Sequence, residues 1–219
     1  MDNPALNGLV ESLKEGESSK ASSSLRTLLS QGVDIKTILV DGIFKAVLEI
    51  GEAICSVPEY SEEEKVAMKK WTESLMALYG VLMEIDANIK VPEPPVGKAI
   101  FACVTGEGHI MIKEVLARIF NVNGFKIYNF PQPASADMVM KKIREMDANL
   151  LVLSAEYTAT ITTIKEIIEL LKKEGLREKV KIILGGGLLN KDLKGLDKEI
   201  DLLTNDVLKS VEEAKNLIK

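Results

Sequence analysis

Histidine is nearly missing from this chain: His109 is the only one in 219 residues. A zinc centre built on three histidines, or an iron site built on two, is therefore excluded. Cysteine is almost as scarce. Cys55 and Cys103 lie 48 positions apart, which leaves no CxxC pair, no zinc ribbon and no disulfide framework, and suits a reducing cytoplasm. No apolar run is long enough for a membrane. The most apolar stretch, Ile38 to Val57, is broken by Asp41, Lys45, Glu49 and Glu52, charges recurring every three or four residues as on an amphipathic helix. The opening Met-Asp-Asn-Pro-Ala-Leu lacks the basic and apolar regions of a signal peptide. Nor is positive charge in excess. Lys and Arg number 28 against 33 Asp and Glu, for a net charge of −5, and aromatics make up only 5%. With no basic stripe interleaved with aromatics, nucleic acid is not an expected partner. Catalysis or metal binding must then run on His109, on carboxylates, or on a cofactor.

What is present is a core-forming composition, 46% hydrophobic, divided by Val91-Pro-Glu-Pro-Pro-Val-Gly97. Three prolines in four residues neither continue a helix nor join a central strand, so they mark a stiff connector. The predicted domains are 1–91 and 97–219. Residues 1–91 hold 15 acidic and 9 basic residues, whereas 92–219 hold 18 and 19, so the acidity belongs to the first part.

The first part reads as four helices. Leu6, Leu9, Val10 and Leu13 stripe one that ends near Gly16; Ala21, Leu25, Leu28 and Leu29 stripe a second that stops at Gly32. The serines at 18, 19, 22, 23 and 24 fall at a loop and on a solvated face of that second helix. Ile35, Leu39, Ile43, Val47, Ile50 and Ile54 form the stripe of a third. Ser61-Glu-Glu-Glu64 has capping-box form and opens a fourth. Its apolar positions, Met68, Trp71, Leu75, Leu78, Leu82 and Ile85, alternate at spacings of three and four and predict the core seam of a helical bundle.

From Lys98 the period changes. Strands are predicted at 98–104, 124–130, 149–154 and 180–184, with a short segment at 200–203. Helices are predicted at about 110–121, 135–146, 159–174 and 206–218. Alternating strands and helices imply a doubly wound parallel sheet covered on both faces, a Rossmann-like or flavodoxin-like α/β domain. Ligands of such sheets bind outside the carboxyl ends of the strands, where the strand order switches. Three features fall there: Glu107 and His109 after the first strand, Ser154 at the end of the third, and Gly185, Gly186 and Gly187 after the fourth. Glycines let a ligand approach the backbone closely.

These residues carry a resemblance. Glu107-Gly108-His109-Ile-Met-Ile112, then Ser154-Ala-Glu156 after 41 intervening residues, then Gly185-Gly186 after 28 more, resemble the D-x-H-x-x-G, S-x-L and G-G signatures of the vitamin B12 domain. The family is the corrinoid proteins of cobalamin-dependent methyltransferase systems, of the methanol and methylamine type. The helical first part resembles the family's four-helix cap. Glutamate stands at 107 where the family has aspartate, Ile112 where it has glycine, and Glu156 where it has leucine.

The resemblance implies cobalamin as cofactor, with His109 as lower axial ligand to cobalt and Glu107 holding the proton of the other ring nitrogen. It implies that Ser154 and Thr158 line a slot for the nucleotide tail, with room left by Gly185–Gly187, and that the cap shields the upper corrin face. The chain would itself be a non-catalytic methyl carrier, docking in turn with a substrate-specific methyltransferase and an acceptor methyltransferase. A homodimer is compatible with this reading. A cobalamin or tetrapyrrole sensor, and a cofactor-free interaction subunit, remain open alternatives. A response regulator would need an aspartate where Ser154 stands.

Overall fold

The computed structural model describes residues 3–57, 62–107 and 110–219. The chain divides into two compact units, Met1–Ile89 and Lys90–Lys219. No helix among the described residues is long and apolar enough to cross a membrane.

The first unit is helical. Helix α1 (Pro4–Lys14) starts at Asn3, whose side chain accepts from the Ala5 amide, with proline in the first turn. This is the placement that proline and an Asx cap favour. Helix α2 spans Ser18–Ser30. The third predicted helix is one helical run in three parts: α3 (Ile35–Thr37), a π-helical segment (Ile38–Phe44) and α4 (Lys45–Cys55). The physical reason is in the spacing. Ile38 and Leu39, Ile43, Ala46 and Val47, and Ile50 are all buried. Leu39, Ile43 and Val47 recur every four residues, a repeat longer than the 3.6 of an α-helix. The wider π turn keeps them on one face.

Helix α5 (Glu62–Asp86) corrects the predicted seam. Leu78, Leu82 and Ile85 are buried as expected, but Met68 is 48% exposed, and Trp71 and Leu75 are only half-buried. Ser74, Ala77 and Val81 complete the buried face instead. Ser74 can be buried because its hydroxyl donates to the carbonyl of Lys14 at 3.1 Å, satisfying an orphan acceptor at the end of α1. The capping residue Ser61 lies outside the described residues.

The second unit is the predicted doubly wound α/β fold. Strands β1 (Gly97–Ala102), β2 (Phe125–Asn129), β3 (Leu150–Ser154), β4 (Lys181–Gly185) and β5 (Leu202–Leu203) form one sheet of order β2-β1-β3-β4-β5. Every pairing is parallel. Helices α6 (Met111–Val122), α7 (Ala136–Met146), α8 (Thr160–Lys173) and α9 (Val207–Leu217) complete it. Alternation along each strand sends side chains to two cores. Ile100, Leu151, Leu153, Ile182 and Leu184 join the cluster that includes Val139, Ile164 and Ile168 of α7 and α8. On the other face Phe120 packs edge to face on Phe101 and tilted on Phe125, with centroids 5.1 Å apart in both contacts. Burial on both faces explains why Leu150-Leu-Val-Leu reads as a continuous apolar run. The strand order switches between β1 and β3, so the carboxyl ends of these two strands flank the crevice.

Candidate functional site at the carboxyl edge of the sheet

The segment leaving β1 is held by backbone pairing. Ala134 N–H donates to the Cys103 carbonyl at 2.9 Å, and Thr105 N–H to the Ala134 carbonyl at 3.1 Å. A tight turn through Gly106 (φ +96°) follows, and Glu107 N–H returns to the Val104 carbonyl. Glu107 is 5% exposed. Its Oε2 accepts the backbone N–H of Glu156 at 2.5 Å. A buried carboxylate on the loop after β1 thus grips the loop after β3 across the switch point. Gly108 and His109 lie outside the described residues.

Beyond them, Ile112 is half-buried in the first turn of α6. Next to it stands a feature the sequence reading missed. Lys113 is 1% exposed, and its Nζ donates to Glu114 Oε1 (2.8 Å), Asn129 Oδ1 (2.5 Å) and the Phe130 carbonyl (2.7 Å). Arg118 pairs with the other oxygen of Glu114 at 2.9 Å. A buried ammonium is tolerable only when paired and fully hydrogen-bonded, as here. The cluster ties the first turn of α6 to the carboxyl end of β2. The i, i+4 pair Glu114–Arg118 was its only trace in the sequence.

Cys103, at the end of β1, is fully buried. Burial pushes its thiol up to about 12, aided by Glu107 and Glu114 and opposed by Lys113 and a hydrogen bond with Ser154. It stays a neutral thiol at physiological pH, which removes it as thiolate ligand or nucleophile.

Ser154 and Gly185 are register partners on β3 and β4. The loops that follow are laced together: Ala155 N–H donates to the Gly185 carbonyl, and Leu188 N–H to the Ala155 carbonyl, both at 3.0 Å. Gly186 N–H donates to Asn205 Oδ1 at 2.6 Å. Gly186 has φ +105°, and a Cβ there would lie 2.3 Å from the Ala155 carbonyl oxygen; one on Gly185 would lie 2.8 Å from that of Thr204. Both glycines are required by the protein's own backbone. At Gly187 the neighbour is a side chain: Glu156 Oε2 lies 2.1 Å from the Cβ position.

The structure therefore brings Glu107, Ser154, Glu156 and Gly185–Gly187 to one edge. Thr158 is exposed in the turn before α8, its carbonyl accepting from Ile161 N–H. No hydrogen bond among the described residues joins its side chain to the glycine loop. Of the three glycines, Gly187 alone leaves its open side to a side chain rather than to the protein's own backbone, and there the Glu156 carboxylate lies over it.

Sheet order and edge chemistry together define a ligand-binding, doubly wound α/β protein. The B12 binding domain model matches residues 97–202. Dimethylamine corrinoid protein 3 of Methanosarcina mazei is 30% identical over 121 residues, which cover 55% of this chain and 70% of that protein. Dimethylamine corrinoid protein 1 of the same organism is 30% identical over 105 residues, so that match spans about half of each chain, 48% of this one and 49% of the relative. A corrinoid protein of Desulfitobacterium hafniense is 24% identical over 196 residues, 83% of each chain. Among solved structures, the fold is shared with the monomethylamine corrinoid protein of Methanosarcina barkeri (TM-score 0.68, 19% identity, 95% of this chain and 96% of that one). It is shared also with the methanol:cobalamin methyltransferase complex of that organism (TM-score 0.51, 16% identity, 100% of this chain and 81% of that one). This chain belongs to the corrinoid protein family of methyltransferase systems, and cobalamin is the cofactor of its B12 binding domain.

Proposed function

We propose that this chain is a cytoplasmic methyl carrier, presenting its corrinoid in turn to a substrate-specific methyltransferase and to an acceptor methyltransferase. The observation that carries the reading is the buried Glu107 carboxylate. It sits two residues before the only histidine and is anchored to the loop after β3 by the 2.5 Å bond from Glu156 N–H. An imidazole that holds a metal would need its second nitrogen to keep a proton and a fixed orientation, and a buried carboxylate can supply both. His109 is the cobalt ligand, and Glu107 holds the proton on its other ring nitrogen. Glutamate is one methylene longer than the aspartate of the family signature and still reaches an imidazole. When bound, the corrinoid supplies a cobalt centre that accepts and releases a methyl group. The chain's own residues would orient and enclose it: Ile112 in the first turn of α6 faces the cofactor side, and Ser154 and Thr158 line the slot for the nucleotide tail beside the Gly185–Gly187 loop. The dimethylamine corrinoid proteins among the relatives support a methyltransferase acting on a small methylated amine as the donor partner.

The test is to incubate apo-protein with hydroxocobalamin, remove free ligand and record visible spectra of wild type and His109→Ala. Retained corrinoid with a spectrum that changes in the variant is expected. No retention by wild type at micromolar concentration refutes the reading. Methyl transfer with a partner methyltransferase then separates a carrier from a sensor.

A further inference from the structure

We propose that Glu156 sets how strongly this chain discriminates between corrinoids by their lower tail, disfavouring a complete, phosphate-bearing nucleotide tail relative to a corrinoid that lacks one. The inference rests on the corrinoid reading above and concerns a residue that departs from the family signature. The main chain of Glu156 is fixed on both sides. Its N–H donates to Glu107 Oε2 at 2.5 Å, and its carbonyl accepts from Lys191 Nζ at 2.8 Å. So held, the side chain reaches over the glycine loop, with Oε2 2.1 Å from the Cβ position of Gly187 and Oε1 3.0 Å from that of Gly186. Gly185 and Gly186 are already approached by the Thr204 and Ala155 carbonyls. The space beside Gly187 is what remains, and the carboxylate fills it. The carboxylate is half-buried, and no hydrogen bond or ion pair among the described residues engages it.

A nucleotide tail entering that space meets two penalties. It must displace the side chain, and its phosphodiester brings a second negative charge to a half-buried carboxylate where solvent screens less than in bulk water. A cobinamide, whose short arm ends in a neutral hydroxyl, brings no phosphate and stops short of that space, so it meets neither penalty.

The experiment measures binding of hydroxocobalamin and of diaquacobinamide to the full apo-chain by equilibrium dialysis with absorbance readout, for wild type, Glu156→Gln and Glu156→Leu. Gln keeps the volume and removes the charge, whereas Leu restores the apolar residue of the family signature. The expected result is that at least one variant tightens cobalamin binding about tenfold or more, the size set by relieving one poorly compensated polar group, while cobinamide affinity stays within about twofold. A misfolded variant cannot mimic this, because the effect is a gain. A cobalamin-to-cobinamide affinity ratio equal in all three chains overturns the proposal and leaves the corrinoid reading standing. Failure of all three to retain either corrinoid overturns the reading, and the proposal with it.

Discussion

Lys113→Met tests whether the buried cluster holds the helix that follows the proposed ligand loop. The substitution keeps an unbranched chain of similar volume and removes the ammonium. Three acceptors then lose their donor: Glu114 Oε1, Asn129 Oδ1 and the Phe130 carbonyl. Breaking a buried ion pair costs roughly 3–5 kcal/mol when the surviving charge is stranded. Here Arg118 still pairs with Glu114 Oε2 at 2.9 Å, which favours the low end, about 3 kcal/mol. The orphaned Phe130 carbonyl adds about 1 kcal/mol or more. The expected loss is therefore about 4 kcal/mol, large against a domain stability on the order of 5–15 kcal/mol, so the variant folds but sits near its threshold. Urea unfolding followed by far-UV circular dichroism measures it, and the fluorescence of Trp71 in α5 reports on the helical unit separately. The double variant Lys113→Met/Glu114→Gln removes the stranded charge as well and should be more stable than the two single losses added together. A Lys113→Met loss under about 1 kcal/mol, or strictly additive single losses, refutes the cluster as an anchor.

Cys103 should resist thiol reagents. In a Cys55→Ser background, a thiol pushed up to about 12 reacts at pH 8 more than about a thousandfold slower than a free cysteine, until urea exposes it; rapid labelling of native protein would falsify its burial. The same shift has a stability sign: a folded pKa above the unfolded value of about 8.5 gives a contribution that is complete below about pH 8.5 and lost as pH rises toward the folded value. At Gly186, φ +105° with a backbone oxygen 2.3 Å from the Cβ position predicts that Gly186→Ala costs roughly 2 kcal/mol or more. Gly175→Ala, at φ +70° with nothing within 4 Å, should cost only about 1–2 kcal/mol; equal losses by urea melting would contradict the close approach. In the helical unit, hydrogen bonds from Arg26, Lys14 and Lys70 hold Glu84, Glu49 and Glu15 below the usual carboxylate range. Their contribution is present above about pH 4.3 and is lost as pH falls through the lowered folded values. Arg26→Ala should accordingly flatten the acid limb of Trp71-monitored unfolding, and an unchanged pH dependence counts against the Glu84 pair.

How much of this was legible in the sequence depended on whether a residue's neighbours lie along the chain or across it. The sheet strands were legible because burial on both faces makes Leu150-Leu-Val-Leu and Ile182-Ile-Leu continuously apolar. The π segment was only half legible. The recurrence of Leu39, Ile43 and Val47 every four residues was there to be read, but a four-residue spacing also fits one face of an ordinary helix over short lengths. In α5, polarity misled. Met68 and Trp71 matched the apolar period yet are not buried, while Ser74 is buried because a carbonyl on another helix accepts its hydroxyl.

The candidate site divides in the same way. Glu107, Ser154 and Gly185–Gly187 could be placed because a parallel sheet delivers the ends of its strands to one edge, whatever the side chains do. Lys113 could not be placed, since a lysine in sequence is by default a solvated charge and only its acceptors on β2 and beyond make burial tolerable. Thr158 was placed at the slot by the resemblance alone, and it stands exposed in the turn before α8. Glu156 joins both cases. Its position followed from the spacing, whereas its effect depends on a backbone held at both ends and a carboxylate lying over Gly187. The consequence is specific: relieving the site requires changing the side chain and leaving the hydrogen bond from its N–H intact. Glu156→Leu should keep Glu107 anchored, whereas Glu107→Ala should release the Glu156 amide and uncouple the two loops. If removing the Glu107 carboxylate leaves the hydrogen-exchange protection of the Glu156 amide unchanged, the coupling across the switch point does not exist.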